Sequence, residues 1–525
     1  MKQAILLSNG DFREAVGRSC WPKQEETLQQ VESVLHKLRC SPVRGHPYNR
    51  DRGHGFITTQ AEACEVFAHL SPEAPLILVL SSWTWAHHVA SCLKLHRGPI
   101  LVLGNFDGTW PGLVSLLNLS ASLERLGVRH SRAWTEAFER DPAFLGNLRQ
   151  WLETGTIKYS QNHLSALDLH QLSTQARNFG AELAGDILRT KRILGQMDPG
   201  CMGMLNAVMS PDKLAAIGMP LELLSQSDLL AEMALVSEEE AHLALGWLKE
   251  RGVRFDWGAD ETGLTERQVL EQMKMYTAAG RIYSRYGLNA IGIPYQYGLV
   301  RCTMASDLPE GMLNNSDRPE IFDPEKGAAV NPGSPLVHFN EGDVGSAVPQ
   351  VLMHDILRRK GMAPETTLHD VRWGDDWEGK FIWSLEISGG APAAHFGGWS
   401  RVSVYRQTPM YFPKGGGTCS GVSKPGAITW ARFYESFGKI GIDVGLGEVI
   451  ELPESELARR REATSKEWPI ANVHIPGYGR DELMSSHRSN HITICYGDIL
   501  EELSSTALQL GIPTTVAGDA RQRLA

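Results

Sequence analysis

Apolar positions in the first 150 residues fall into two alternating patterns. Short unbroken runs at 3–7, 75–81 and 99–104 read as buried parallel strands. Between and after them, Leu28, Val31, Leu35 and Leu38, then Leu116, Leu119, Leu123 and Leu126 closed by Gly127, recur at helical spacing. Strands alternating with amphipathic helices predict a doubly wound sheet, because a parallel pair needs a crossover long enough to hold a helix. Ligands of such sheets collect beyond the carboxyl ends of the strands. Ser81-Ser82-Trp83-Thr84-Trp85 and Gly104-Asn105-Phe106-Asp107-Gly108 occupy those ends, although loop packing accounts for the aromatics equally well.

A second pattern, dominated by long helices, begins near 165. Ser237 with Glu240 and Thr265 with Gln268 have the spacing of capping boxes, in which each side chain satisfies a free N–H at the helix start. The helix opened by Thr265 is predicted to end near Gly287, and the apolar run 289–294 then delivers Tyr295-Gln296-Tyr297 to a strand end. Beyond about 355 the runs 381–387 and 399–405, rich in Trp, Tyr and Val and bounded by glycine, predict strands, and a strand, helix and strand follow from His491 to Gly518. The expected architecture is α/β and multidomain. Two doubly wound α/β domains, at 1–165 and 166–355, precede a β-rich α+β domain at 356–525.

Composition narrows the function classes. A chain of 525 residues fits about three domains. A formal charge of −10 leaves no broad basic field, so nucleic acid is not expected as a partner. The apolar runs fall far short of the roughly 20 residues that cross a bilayer, and the run 4–7 is too short for a signal peptide, which gives no membrane partner and a cytoplasmic expectation. The eight cysteines are scattered and show no paired spacing, as reduced thiols do. No strand leads into a dinucleotide fingerprint or phosphate-binding loop. Gly415-Gly416-Gly417 reads as a flexible loop.

Two apolar runs lead into acids: 336–340 into Glu341-Gly342-Asp343, and 366–369 into Asp370. Carboxylates at the ends of buried strands are costly unless paired, which points to a shared cation, or alternatively to helix caps and salt bridges. His491 follows Ser486-His487-Arg488-Ser489-Asn490, where Arg488 occupies the position that a zinc protease needs for its glutamate, so peptidase chemistry is disfavoured. One imidazole with oxygen donors suits a cation such as Mn²⁺, and a structural histidine is the other reading of His491. Asp307 and Glu310 read as a turn and a helix cap.

Together these motifs resemble the L-fucose isomerase and L-arabinose isomerase superfamily. The resemblance rests on Phe339-Asn340-Glu341-Gly342-Asp343-Val344, on His369-Asp370-Val371-Arg372, and on Ser489-Asn490-His491 followed by an apolar strand, Gly497-Asp498, Leu510-Gly511-Ile512-Pro513 and Gly518-Asp519. It implies a metal-dependent aldose–ketose isomerase working on a free sugar of fucose or arabinose type through an enediol. Glu341, Asp370 and His491 would hold Mn²⁺ or another divalent cation, with Glu341 and Asp370 also moving protons. Trp85, Gln296, Ser388 and Asn490 would contact the sugar. The resemblance further implies a homo-oligomer, hexamer or trimer. The alternatives are an epimerase or modified-sugar isomerase using the same chemistry, and a non-catalytic cytoplasmic sugar-binding protein.

Overall fold

The computed structural model describes residues 2–260 and 262–524. The protein is α/β and multidomain. Its first sheet has five parallel strands in the spatial order Ser41–Arg44, Gln3–Leu7, Leu76–Leu80, Ile100–Asn105, Ser131–Thr135. The three inner strands match the apolar runs because both faces are covered: Leu76–Leu80 and Ile100–Asn105 are buried at every position. Helices Glu14–Lys37 and Gly112–Arg125 carry the two leucine stripes.

A smaller parallel sheet follows, with Leu194–Met197 between Ala290–Gly292 and Leu221–Leu224. Both capping boxes form, at Ser237 and at Thr265, and the second helix runs Glu266–Arg285. The segment around 336–339 is not a strand of this sheet. It runs beside Ala290–Gly292 through a single bridge from Ile291 to His338, held by Phe339 N–H to Ile291 O and Ile291 N–H to Val337 O, both 2.9 Å.

The third sheet is closed. Gly426–Ser436, His491–Tyr496, Thr366–Trp377, Lys380–Glu386, Ile470–His474 and Lys439–Val449 pair antiparallel in that order, and the last pairs back with the first along a long hairpin. Closure leaves this six-stranded barrel without a free edge, except where Thr514–Ala517 adds to Lys439–Val449. Leu164–Ala166 then pairs with Thr514–Ala517, so the chain visits the C-terminal sheet before it enters the second unit. One hydrophobic core is shared by the first sheet and the barrel and contains Leu78 and Val102 beside Trp383 and Ile492. Among the described residues no helix is long and apolar enough to cross a membrane.

Two local expectations fail for physical reasons. The run 399–405 is mostly a turn, with only Ser403–Val404 extended, because Gly397 and Gly398 adopt positive φ and Trp399 folds inward to donate its indole N–H to Asp317 O at 2.7 Å. The Gly415-Gly416-Gly417 run is packed rather than loose. A Cβ at Gly416 would stand 2.9 Å from Gln272 and Ala305, and Gly417 N–H donates to Gln272 Oε1 at 2.7 Å.

Close approach at Gly292 sets the position of the segment that carries Glu341, since a Cβ there would lie 2.1 Å from the buried Phe339 ring. Gly292→Ala is therefore expected to lower stability by about 1–3 kcal/mol, the range for overpacked cores. A denaturant midpoint unchanged from wild type would show that the segment yields without strain.

Candidate active site

Glu341 lies in the short turn Asn340–Gly342 with φ 55°, a left-handed conformation that disfavours side chains other than glycine and asparagine. The next acid, Asp343, is the N-cap of helix Val344–Arg359. Its carboxylate accepts from Gly345 N–H at 2.9 Å and from the Ser346 hydroxyl at 2.9 Å. The same carboxylate receives Arg432 in a bidentate ion pair in which neither side chain is exposed, and lies 2.7 Å from His491 Nδ1. Burial acts to raise the Asp343 carboxyl, but the Arg432 charge and the His491 hydrogen bond outweigh it and hold the group well below the ordinary carboxylate range.

Asp370 is not at a strand end. It sits within Thr366–Trp377, directly opposite His491 across the antiparallel pair, and just before an irregularity in pairing between Val371 and Trp373. His491 Nε2 consequently faces two carboxylates, 3.5 Å from Glu341 Oε2 and 3.4 Å from Asp370 Oδ1. This nitrogen is buried and makes no hydrogen bond. Burial acts to lower the imidazole pKa, but the hydrogen bond to Asp343 and the nearby carboxylates of Glu341 and Asp370 prevail and raise it to about 10. Asp370 itself is pushed upward by burial, against the pull of His491.

Beside these groups opens a cavity of about 350 Å³, walled by Glu341, Asp370 and Ser388 on one side and by Trp83, Trp110 and Trp468 among the aromatics on others. Ser388 donates its hydroxyl to Glu341 Oε1 at 3.2 Å. Asn490 donates to Asp370 Oδ1 at 3.0 Å and does not itself reach the cavity wall. Trp85 and Gln296 also stand off that wall. Trp85 stacks on His88, with centroids 5.8 Å apart, and meets Tyr297 edge-on. Gln296 accepts the backbone N–H of Met202, which does line the cavity. The strand end after Leu80 thus presents Trp83 to the cavity and turns Trp85 into the core.

Asp307 and Glu310 are more than a turn and a cap. Both are buried, and with Glu341 and Ser388 they border a second cavity of about 20 Å³, room for about one water. Burial pushes both carboxyls upward, Asp307 against a 2.7 Å bond from Gln407. Sequence reasoning also missed Arg13 and Arg372. Arg13 lines the cavity but is bound by both oxygens of Asp11, at 2.6 and 2.9 Å. Arg372 follows Asp370 by two residues and borders the same cavity, at an irregularity in strand pairing that its local sequence does not disclose.

As placed, the described residues contain no group of three or more His, Cys, Asp or Glu arranged to hold a metal ion. The donor types around His491 are nevertheless those that could hold one. Its Nδ1 is occupied by Asp343, which orients the ring as in metal-ligating histidines, and its unpaired Nε2 faces two oxygen donors.

Residues 400–517 match the family described as L-fucose isomerase, C-terminal domain, which supports an L-fucose isomerase-like family. The matched span includes Asn490 and His491 and stops short of Glu341, Asp370 and Ser388. No curated protein matches the chain.

Asp343→Asn removes the counter-charge of an arginine with no solvent access, and is expected to destabilise the protein by about 3–5 kcal/mol. Because folding depresses the Asp343 pKa, its stabilisation is complete above the ordinary carboxylate range and fades as pH falls below it. Urea denaturation at pH 7 and pH 3 checks both points; a stability difference between wild type and variant that grows on acidification contradicts the ion-pair account.

Proposed function

We propose that this chain, with its fucose-isomerase-like C-terminal part, is a metal-dependent aldose–ketose isomerase acting on a sugar of fucose or arabinose type through an enediol. One observation carries the reading: a buried imidazole nitrogen that makes no hydrogen bond faces two carboxylates at the wall of a sugar-sized cavity. Glu341, Asp370 and His491 would hold Mn²⁺ or another divalent cation. Such an ion, when bound, supplies stabilisation of the negative charge that develops on the sugar's first two oxygens.

The remaining steps belong to the chain. Asp343 accepts from His491 Nδ1 and so keeps Nε2 turned toward the acids. Glu341 and Asp370 are the groups that take the proton from the carbon beside the carbonyl and return it to the neighbouring carbon. A carboxyl raised toward neutrality, as Asp370 is, gives and takes protons more readily than an exposed one. The Ser388 hydroxyl steadies Glu341 and the Asn490 amide steadies Asp370, which fixes the two acids against rotation. Trp83, Trp110 and Trp468 offer apolar faces to the sugar's C–H groups and keep water from the reacting carbons. A homo-oligomer, trimer or hexamer, forms part of the same reading.

The deciding experiment follows conversion of L-fucose, D-arabinose, L-arabinose and related aldoses by NMR, on chelator-stripped protein with and without Mn²⁺. Metal-dependent ketose is expected; metal uptake with no ketose from any aldose overturns the isomerase reading. Glu341→Gln should reduce turnover by at least about 100-fold, the lower range for loss of a positioned acid or base, and weaken Mn²⁺ binding in the same protein. Trp83→Ala should raise KM more than Trp85→Ala does, and equal effects would remove Trp83 from the sugar's surroundings.

A further inference from the structure

Two arginines on the cavity wall carry N–H groups that the described residues leave without acceptors. Arg372 is only 4 % exposed, makes no hydrogen bond among the described residues, and has its Nη1 sealed from solvent and unpaired. Its one ion pair, Nε to Glu386 Oε2 at 3.8 Å, is loose. Glu386 fills only one of its oxygens, Oε1 accepting the Thr464 hydroxyl at 2.6 Å; its buried Oε2, toward Arg372, makes no hydrogen bond, so this carboxylate offsets charge without filling the Arg372 donors. Arg461 comes from a distant segment, helix Glu454–Ala463, reaches the same wall, and likewise buries an Nε without an acceptor. Lys466 borders the cavity at an exposed position.

These groups differ from Arg13, whose charge is matched by Asp11 at both oxygens. Glu462 and Glu467 also border the cavity, but neither pairs with Arg372 or Arg461. A buried guanidinium with free donors is unfavourable unless an acceptor arrives, and a planar fork of N–H groups is suited to bidentate carboxylate or tetrahedral oxyanions. Both arginines border the same cavity as Glu341 and Asp370, so a sugar whose carbonyl end meets the acids shares one space with these cations.

We propose that this end of the cavity is an anion subsite: the sugar carries a carboxylate, phosphate or sulfonate at the end remote from its carbonyl, received by Arg372 and Arg461 with Lys466 at the rim. The sugar part of this inference rests on the isomerase reading above; the anion part rests on the unfilled donors Arg372 Nη1 and Arg461 Nε. The cations come from separate segments: Arg461 ends the run Arg459-Arg460-Arg461, and Arg372 stands alone in its strand.

The test uses the full-length, Mn²⁺-loaded protein and alditols, which lack the carbonyl and cannot turn over. Calorimetry compares arabinitol with arabinitol 5-phosphate, and a hexitol with its 6-phosphate, the matching hexonate and the 6-sulfonate. At least tenfold tighter binding of an anionic member is expected, with a preference that falls as salt is raised, and the tightest member identifies the anion. In Arg461→Gln, whose half-buried position should allow folding as judged by Tm, the ratio of anionic to neutral affinity should approach one; Arg372→Lys should lower it in part. No preference for the charged member, including no binding of either, overturns the subsite, as does a variant that weakens both members equally. Ketose formation from neutral aldoses alone would leave the isomerase reading standing and remove the subsite. Tight anion-dependent binding without ketose from any charged aldose would do the reverse.

Discussion

The site depends on one buried carboxylate with three obligations. Asp343 caps the helix Val344–Arg359, neutralises Arg432 from the strand Gly426–Ser436, and accepts from His491 at the head of another strand. An arginine with no solvent contact is tolerable only when its charge is met. Arg432 also donates to Ser346 Oγ at 2.9 Å and to Asn206 O at 3.1 Å, so the charge is held by several elements at once. Glu341 precedes this anchor by two residues, and Asp370 lies opposite His491 in strand register. Ionic pairing beneath the cavity thus sets the angles of the acids at its surface.

The closed barrel explains why parts of the chain distant in sequence meet there. It supplies Asp370, Arg372 and His491, while the second unit supplies Glu341 and the carboxyl ends of the first sheet supply Trp83 and Trp110. Because Leu164–Ala166 is a strand of the C-terminal sheet and the core runs from the first sheet into the barrel, the units are interlocked rather than strung together. Residues in all three must be in place before the cavity exists, and much of that contact is between segments far apart in the chain.

Local patterns were legible where one element decides its own fate. The runs at 3–7, 75–81 and 99–104 and the two capping boxes map onto observed elements almost residue for residue. Legibility fails where tertiary packing intervenes. The aromatic run 399–405 looks like a strand but turns to bury Trp399, and 336–339 meets its neighbour through only one bridge before the turn at Asn340. Asp370 is paired on both sides within a long strand, which its local sequence does not disclose. Periodicity marks the strand end at Ser81 to Trp85 without saying which indole turns outward. Asp307 and Glu310 read as a turn and a helix cap, because nothing near them in sequence reveals the Gln407 and Ser388 that enclose them.

The backbone at Glu341 bears on any effort to engineer this protein. A side chain held at φ 55° stores strain that glycine would release, and asparagine would release part of it. Selection for thermal tolerance alone would therefore drift toward glycine at 341, gaining robustness while deleting a carboxylate from the cavity. The position rewards stability and function with different residues, so a heat-screened library would have to keep it fixed.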